Sequence, residues 1–167
     1  MTLPLSPIAG RGPDQIGIVV ADLDAAFPRY ERKWGLSSWR GYVYGHDTIP
    51  CTSYLSEPGR YRVRIAISAT TPQIELIEVL EGPSIYDDWI EQHGEGLHHL
   101  GFWVDSLDDG VAAMRADGYE PTQTGGGYGL DGDGGYAYFD TVAAFGVILE
   151  LIEVPKRRRD PDFVWPR

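Results

Sequence analysis

The chain repeats itself, and an internal duplication constrains the fold of a sequence more strongly than its composition does. Residues 15–24 align with residues 99–108 at a spacing of 84 positions (99 − 15), with four of ten residues identical. Residues 74–79 align with residues 149–154 at a spacing of 75 positions (150 − 75), with five of six identical. Chance similarity between apolar strands explains either match alone, but not two in the same order. The sequence therefore predicts two copies of one unit.

Copy one has the pattern of a βαβββ module, and copy two follows the same order with one predicted strand fewer. Strands are predicted from runs rich in β-branched and aromatic residues, and helices from capping residues and closing glycines. Asp22 and Ser106 are the predicted helix caps, and Gly35 and Gly118 close the two helices. For copy one we predict strands at 15–20, 40–44, 60–68 and 74–79 and a helix at 25–34; for copy two, strands at 99–104, 135–140 and 147–154 and a helix at 110–116. A short helix at 84–93 joins the copies, and the glycine-rich stretch 125–135 is predicted to be a mobile loop.

The predicted fold class is α+β, with two tandem modules. Module one covers about residues 13–80, module two about 96–154, and a C-terminal tail 155–167 follows. All 167 residues are expected to form a single domain, because this length suits one ordinary hydrophobic core.

Composition excludes several classes of partner and location. The formal net charge of −11 disfavours binding to nucleic acid or to an anionic membrane. No apolar run is long enough for a membrane helix, and the N-terminal residues Met1–Pro4 lack a signal-peptide layout. Because Cys51 is the only cysteine, no intramolecular disulfide can form, and we expect a cytoplasmic protein. The basic run Lys156–Arg159 is predicted to belong to a solvated tail.

Four polar residues stand at matched positions inside otherwise apolar strands. Gln15 and His99 lie on the opening strands, and Glu75 and Glu150 on the closing strands. A glutamate buried among Ile and Leu is costly unless it is paired or binds a metal. A second matched pair, Glu78 and Glu153, faces the other side of the strands and is expected to be solvated. Trp103 shares a strand face with His99. It is expected either to form the floor of a pocket or to pack in the core.

These patterns resemble a known superfamily. The opening motif of each copy, the stretch GEGLHHLGF at 94–102 and the closing IELIE motif are similar to the glyoxalase/bleomycin-resistance/dioxygenase (vicinal oxygen chelate) superfamily over about residues 14–154. Residues 74–102 are most similar to methylmalonyl-CoA epimerases. The resemblance implies one divalent ion, Ni, Co, Zn, Mn or Mg, held by Gln15, Glu75, His99 and Glu150, with His98 on the opposite face as a non-ligand. It also implies that two tandem βαβββ modules form a curved mixed sheet around one central site, and that Glu150 is the catalytic base.

The ligand set departs from the epimerase pattern at its first position. Histidine is usual where Gln15 stands, whereas the order Gln, Glu, His, Glu is that of a human-type glyoxalase I. The glutamine carbonyl can serve as an oxygen ligand to a metal ion. Equally, the loss of histidine at this position can mark a family member that no longer binds a metal. The second glutamate base of the epimerases has no counterpart, because the matching stretch 60–63 contains no carboxylate. No glutathione site is recognisable, and an extradiol dioxygenase is disfavoured because it needs two histidines and one carboxylate.

The resemblance thus predicts a metal-dependent isomerase, epimerase or lyase that transfers a proton next to a carbonyl or thioester. The alternative is a non-catalytic small-molecule binding protein of the bleomycin-resistance type. The expected partners are a small-molecule substrate and a second copy of the chain in a homodimer.

Overall fold

The computed structural model describes residues 6–166, so the prediction made for residues Met1–Pro4 lies outside the described part of the chain. In chain order, module one contains β1 (Gln15–Val19), α1 (Leu23–Trp34), β2 (Trp39–Gly45), β3 (Cys51–Tyr54), β4 (Glu57–Pro58), β5 (Arg62–Ser68) and β6 (Gln73–Glu81). The helix α2 (Ile85–His93) joins it to module two. Module two contains β7 (Gly96–Trp103), α3 (Leu107–Ala116), β8 (Pro121–Tyr128), β9 (Gly134–Phe139), α4 (Val142–Phe145) and β10 (Ile148–Glu153), and β11 (Phe163–Trp165) lies in the tail.

The sheet confirms the predicted fold class and its internal duplication. Its strand order is β11-β2-β5-β6-β1-β7-β10-β9-β8-β3-β4. Module one supplies the block β2-β5-β6-β1, and module two supplies the equivalent block β7-β10-β9-β8 in mirror order. The two opening strands, β1 and β7, pair antiparallel at the centre, and each pairs in parallel with the closing strand of its own module. The matched strands of the two copies therefore meet in the middle of one continuous sheet.

The helices begin at the predicted caps. The Asp22 side chain accepts a hydrogen bond from the Ala25 amide at the start of α1, and the Ser106 side chain accepts one from the Asp109 amide at the start of α3. Gly35 ends α1 in the left-handed conformation, with φ of 70°, where a side chain would be strained.

The matched glutamates Glu78 and Glu153 hold these helix starts against the sheet, so the prediction that they are solvated is wrong. The Glu78 carboxylate accepts a hydrogen bond of 3.4 Å from the Leu23 amide, and the Glu153 carboxylate accepts one of 2.8 Å from the Leu107 amide. An acidic side chain at a helix N-terminus satisfies a free amide and complements the helix dipole. The duplication thus extends to how each helix is attached.

Helices α1 and α3 cover the outer faces of the curved sheet, whereas α2 packs Ile85 and Tyr86 into the core on the inner side, next to the site. Leu23, Ala26 and Phe27 of α1 pack on Ala66 and Leu76. In module two the equivalent outer core joins Met114 of α3 to residues of β7, β9 and β10. A third core, rich in tyrosine, valine and isoleucine, lies between the inner faces of the two half-sheets. Among the described residues, no helix is both long and apolar enough to cross a membrane.

The glycine-rich stretch 125–135, predicted as a mobile loop, lies mostly in strands. Residues up to Tyr128 belong to β8, and Gly134 and Gly135 begin β9. Packing requires glycine at position 125, because a Cβ there would lie 2.3 Å from the Tyr136 ring. The hairpin β3-β4 of module one, which has no strand signal in the sequence, pairs with β8 and so extends the edge of module two.

The C-terminal tail is docked along module one, which corrects the prediction of a solvated tail. Phe163 to Trp165 form β11 and pair antiparallel with β2. The Phe163 ring lies over Gly41, where a Cβ would be 1.9 Å from it, and Trp165 stacks on Phe27 at a centroid distance of 5.1 Å. Aromatic packing therefore docks the C-terminal tail on module one, although its basic run had predicted a solvated tail.

Candidate metal centre

Three of the four predicted site residues converge in a buried cluster built from both modules. The Nε2 atom of His99 lies 3.5 Å from Oε2 of Glu75 and 3.1 Å from Oε2 of Glu150. All three side chains are buried, and His99 is fully enclosed. Glu75 comes from module one and the other two from module two, so the cluster exists only because β1 and β7 pair at the centre of the sheet.

Two glycines create the space in which these side chains lie. Gly17 of β1 stands between Glu75 of β6 and His99 of β7, and a Cβ at Gly17 would lie 1.8 Å from the His99 ring. Gly101 occupies the matching position in module two, 84 residues later, between Gln15 and Glu150. A Cβ there would approach the Gln15 side chain to 3.1 Å. The repeat thus places each opening-strand ligand candidate over the glycine of the other copy.

Gln15 borders the same cavity as Glu75 and Glu150. Its Nε2 atom donates a 3.0 Å hydrogen bond to Oε1 of Gln73. This bond uses the amide nitrogen and leaves the carbonyl oxygen of Gln15 as the atom able to act as a ligand.

The protonation of the cluster follows from burial and from mutual attraction. Burial alone lowers the pKa of His99, but the carboxylates of Glu150 and Glu75 outweigh it and raise that pKa to about 9. Burial also raises the pKa of Glu150, against the opposing charge of His99. With a pKa of about 9, His99 carries a positive charge at neutral pH when no metal is bound.

His98 does not point away from the cluster, which corrects the prediction of opposite faces. The register between β1 and β7 shifts after Gly17, and this irregularity turns both histidines toward Tyr138. The Nδ1 atoms of His98 and His99 lie 3.0 Å apart. Burial, and then the charge of His99, keep the pKa of His98 well below its usual value, so His98 is neutral and can accept the Nδ1 proton of His99. This contact leaves Nε2 of His99 facing the glutamates.

The residues present fit a divalent ion by their donor chemistry. Among residues 6–166, no group of three or more His, Cys, Asp or Glu side chains is arranged to hold a metal ion as it stands, because the three clustered side chains contact one another directly. However, Nε2 of His99 and Oε2 of Glu150, although 3.1 Å apart, do not meet with the geometry of a hydrogen bond, and neither atom has another hydrogen-bond partner in the described structure. Two ligands that each lie about 2.1 Å from one ion at right angles are about 3.0 Å apart, which is close to the observed spacing.

Tyrosines and β-branched residues form the wall of the cavity, which has a volume of about 60 Å³. The Tyr86 hydroxyl donates to the Tyr138 hydroxyl at 2.9 Å, and the Tyr61 and Tyr136 hydroxyls share a hydrogen bond of 2.6 Å. Burial raises the pKa of all four phenols, so they remain neutral. Among the lining residues, Glu75 and Glu150 are the only carboxylates. The cavity lining thus combines two carboxylates with a wall that is mostly aromatic and β-branched.

Sequence reasoning missed most of this wall. Tyr136 and Tyr138 alternate on β9, which is the spacing of residues that share one strand face, and this signal was available. Trp103 lines the cavity and is 39% exposed, which supports the pocket reading over plain core packing. Arg158, from the basic run assigned to solvent, also lines the cavity, and no local pattern distinguishes it from its basic neighbours.

Comparison with solved structures agrees with this fold. A hypothetical protein from Bacillus halodurans C-125 superimposes with a TM-score of 0.62 at 23% identity, covering 89% of this chain and 97% of that chain. A variant of Streptomyces coelicolor methylmalonyl-CoA epimerase, in complex with 2-nitronate-propionyl-CoA, gives 0.61 at 21% identity over 89% and 97%. The methylmalonyl-CoA epimerase from Mycobacterium tuberculosis gives 0.58 at 24% identity over 87% and 89%.

At these identities the likeness concerns the fold alone. No curated protein sequence matches the chain significantly. The family model described as Glyoxalase/Bleomycin resistance protein/Dioxygenase superfamily matches residues 14–139, well over half of the chain, and members of this superfamily commonly bind a divalent metal. The protein is therefore a member of the Glyoxalase/Bleomycin resistance protein/Dioxygenase superfamily.

Proposed function

We propose that this protein is a metal-dependent enzyme that moves a proton at a carbon next to a carbonyl or thioester group. The single observation that carries the proposal is the buried contact of His99 with Glu75 and Glu150, one carboxylate from each module, at 3.5 and 3.1 Å. Two buried acids and an imidazole beside a small cavity form an expensive arrangement that a divalent cation would stabilise.

In this proposal Gln15, Glu75, His99 and Glu150 hold one divalent ion. When bound, such an ion polarises a substrate carbonyl and thereby acidifies the adjacent C–H bond. The chain supplies two oxygens from carboxylates, one from an amide and one imidazole nitrogen, a set suited to Ni, Co, Zn, Mn or Mg. The two glutamate charges balance those of the ion.

Glu150 is the proposed base. It borders the cavity, and its basicity would be set by two opposing effects: burial raises the pKa of its carboxyl, and a bound cation would lower it. Glu75, the only other carboxylate that lines the cavity in the described part of the chain, belongs to the same cluster as Glu150, so removal and return of the proton from one face suit the site better than two-base epimerisation.

Metal content tests the ligand set. The wild-type protein, purified without chelator, should contain one divalent ion per chain by elemental analysis. The variant His99→Ala should lose it, whereas His93→Ala, the same change at an exposed histidine, should retain it. Absence of micromolar binding in the wild type would remove the enzyme proposal and leave the alternative, a small-molecule binding protein.

Proton exchange tests the role of Glu150. Candidate acyl-CoA thioesters and α-hydroxy carbonyl compounds are incubated in D₂O, and α-deuteration is followed by NMR. Glu150→Gln keeps an oxygen ligand but removes the base, so turnover should fall by about 10²–10⁴-fold while metal content persists. Glu91→Gln, at an exposed position of α2, is the matched control. Tight binding of such compounds by the wild type without any exchange would favour sequestration instead.

The expected homodimer, single-domain organisation and cytoplasmic location stay predictions. Sedimentation velocity on the purified protein would test the first of these.

A further inference from the structure

The C-terminal tail bridges the two modules beside the cavity. On one side Arg157 forms an ion pair with Asp131 of the turn between β8 and β9, with Nε 2.8 Å from the carboxylate. On the other side Arg159 lies 2.6 and 2.7 Å from the oxygens of Asp162 and donates a 3.0 Å hydrogen bond to the Val43 carbonyl of β2. The residue between these two anchors is therefore held in place by its neighbours.

That intervening residue is Arg158, and its side chain lines the same cavity as the candidate ligands. No hydrogen bond or ion pair of Arg158 is found within the described residues 6–166, in contrast to Arg157 and Arg159. Its charge acts on the phenols of Tyr44 and Tyr128: burial raises the pKa of both, and Arg158 opposes that effect. The rings of these two tyrosines are 5.7 Å apart, one from each half-sheet, so Arg158 lies where the two halves approach each other.

The charge of the cavity explains what such an arginine can do. A divalent ion would be neutralised by Glu75 and Glu150, which leaves Arg158 as the one unbalanced charge among the lining residues. A guanidinium presents a planar fork of donors that matches a carboxylate, and this pairing is strong where water is excluded.

We propose that Arg158 is a specificity-determining residue that selects substrates carrying a carboxylate in addition to the reacting carbonyl group. This inference rests on the proposed function for the position of the reacting carbon. The residue comes from the tail, outside the duplicated modules, so the ligand set and the anion selectivity have separate structural origins.

Calorimetry with two matched probes tests this selectivity without any turnover. The probes are α-ketoglutarate and its distal monoamide, which share the chelating keto acid and differ in one carboxylate. The wild-type holoprotein should bind the dicarboxylate about ten-fold or more tightly than the amide, as expected of a hydrogen bond between charged groups. Arg158→Gln should remove this preference without weakening the amide, and Arg158→Lys should retain part of it. Lys156→Gln removes a charge from the same basic run at an exposed side chain that does not line the cavity and whose contact with Asp133 uses only the backbone amide, so this variant is the control and should keep the preference.

Each other outcome overturns the inference or separates it from the proposed function. Equal affinity for the two probes in the wild type, a preference that survives Arg158→Gln, or no binding of either probe would overturn the role of Arg158. Competition by inorganic phosphate at the affinity of the dicarboxylate would overturn selectivity for a carboxylate. If the protein binds no metal but prefers the dicarboxylate through Arg158, the proposed enzyme fails while the anion subsite stands.

Discussion

At the scale of single residues, the site depends as much on missing side chains as on present ones. The imidazole of His99 occupies the space above Gly17, and the Gln15 side chain lies close to Gly101. Because these glycines are repeat mates on the two central strands, the position of the candidate ligands is set by sheet register rather than by a flexible loop. A site supported in this way has little freedom to adapt to a substitution.

The substitution Gly17→Ala should displace His99 and weaken metal binding by about ten-fold or more, the range for loss of a supporting contact around a ligand. The added methyl would lie 1.8 Å from Cε1 and 2.2 Å from Nε2 of His99, so the ring or the strands must move. Unfolding free energy should also fall by about 1–3 kcal/mol through overpacking. Calorimetric metal titration and denaturant unfolding measure the two effects.

Gly126→Ala is the matched control, because Gly126 also lies in a strand but has open space where a Cβ would be placed. This variant should bind metal as the wild type does. Wild-type metal affinity in Gly17→Ala would show that His99 is not a ligand in its observed position.

At the scale of secondary-structure elements, strands outside the βαβββ pattern cover the open edges of the sheet. The hairpin β3-β4 of module one covers the edge of module two, and β11 of the tail covers the edge of module one. Unprotected edges invite pairing with other chains, and here each module receives a cover from a segment outside its own βαβββ pattern. The tail strand has the further consequence of bringing Arg158 to the cavity.

Phe163→Ala should destabilise the protein by about 1–2 kcal/mol, less than for a fully buried phenylalanine because the side chain is only half-buried. The change removes the ring from Gly41 and from the guanidinium of Arg64, which lies 4.6 Å from the ring centroid. Denaturant unfolding measures the loss, and the preference for the dicarboxylate probe should weaken because the tail is less firmly docked.

Val164→Ala is the control on the same strand, since Val164 is 50% exposed and should change stability by no more than about 0.5 kcal/mol. If Phe163→Ala were as stable as Val164→Ala, the docking of β11 would not depend on the aromatic contact.

At the scale of the whole molecule, the cluster links stability to pH and to metal. The pKa of His99 is raised from 6.5 to about 9 in the metal-free folded protein. A raised pKa contributes stability that is fully present below the unfolded value of 6.5 and is lost as pH rises through about 9. A metal ligand must be a neutral imidazole, so the metal-loaded protein does not depend on this proton.

The rise in Tm on adding the same amount of divalent metal should therefore be larger at pH 8.5 than at pH 6.5. At a metal concentration 100 times Kd the stabilisation is about 2.7 kcal/mol, which differential scanning calorimetry resolves. In the variant His99→Ala the rise in Tm on adding metal should not depend on pH in this way, because the variant lacks the titrating ligand. If the rise in Tm of the wild type were equal at both pH values, the metal ion would not be replacing a proton on His99.

The sequence by itself determined the duplicated βαβββ module, the central strands and the positions of Gln15, Glu75, His99 and Glu150 within them. These features follow from local periodicity and from similarity between the copies, which need no knowledge of distant contacts. The register shift that turns His98 inward, the glycines of β8 and the docking of the tail were decided by tertiary structure, because each depends on a partner far away in the chain. Arg158 shows the difference most clearly: its chemistry is visible in the sequence, but its place beside the cavity depends on anchors in Asp131 and Val43 that only the folded sheet brings together.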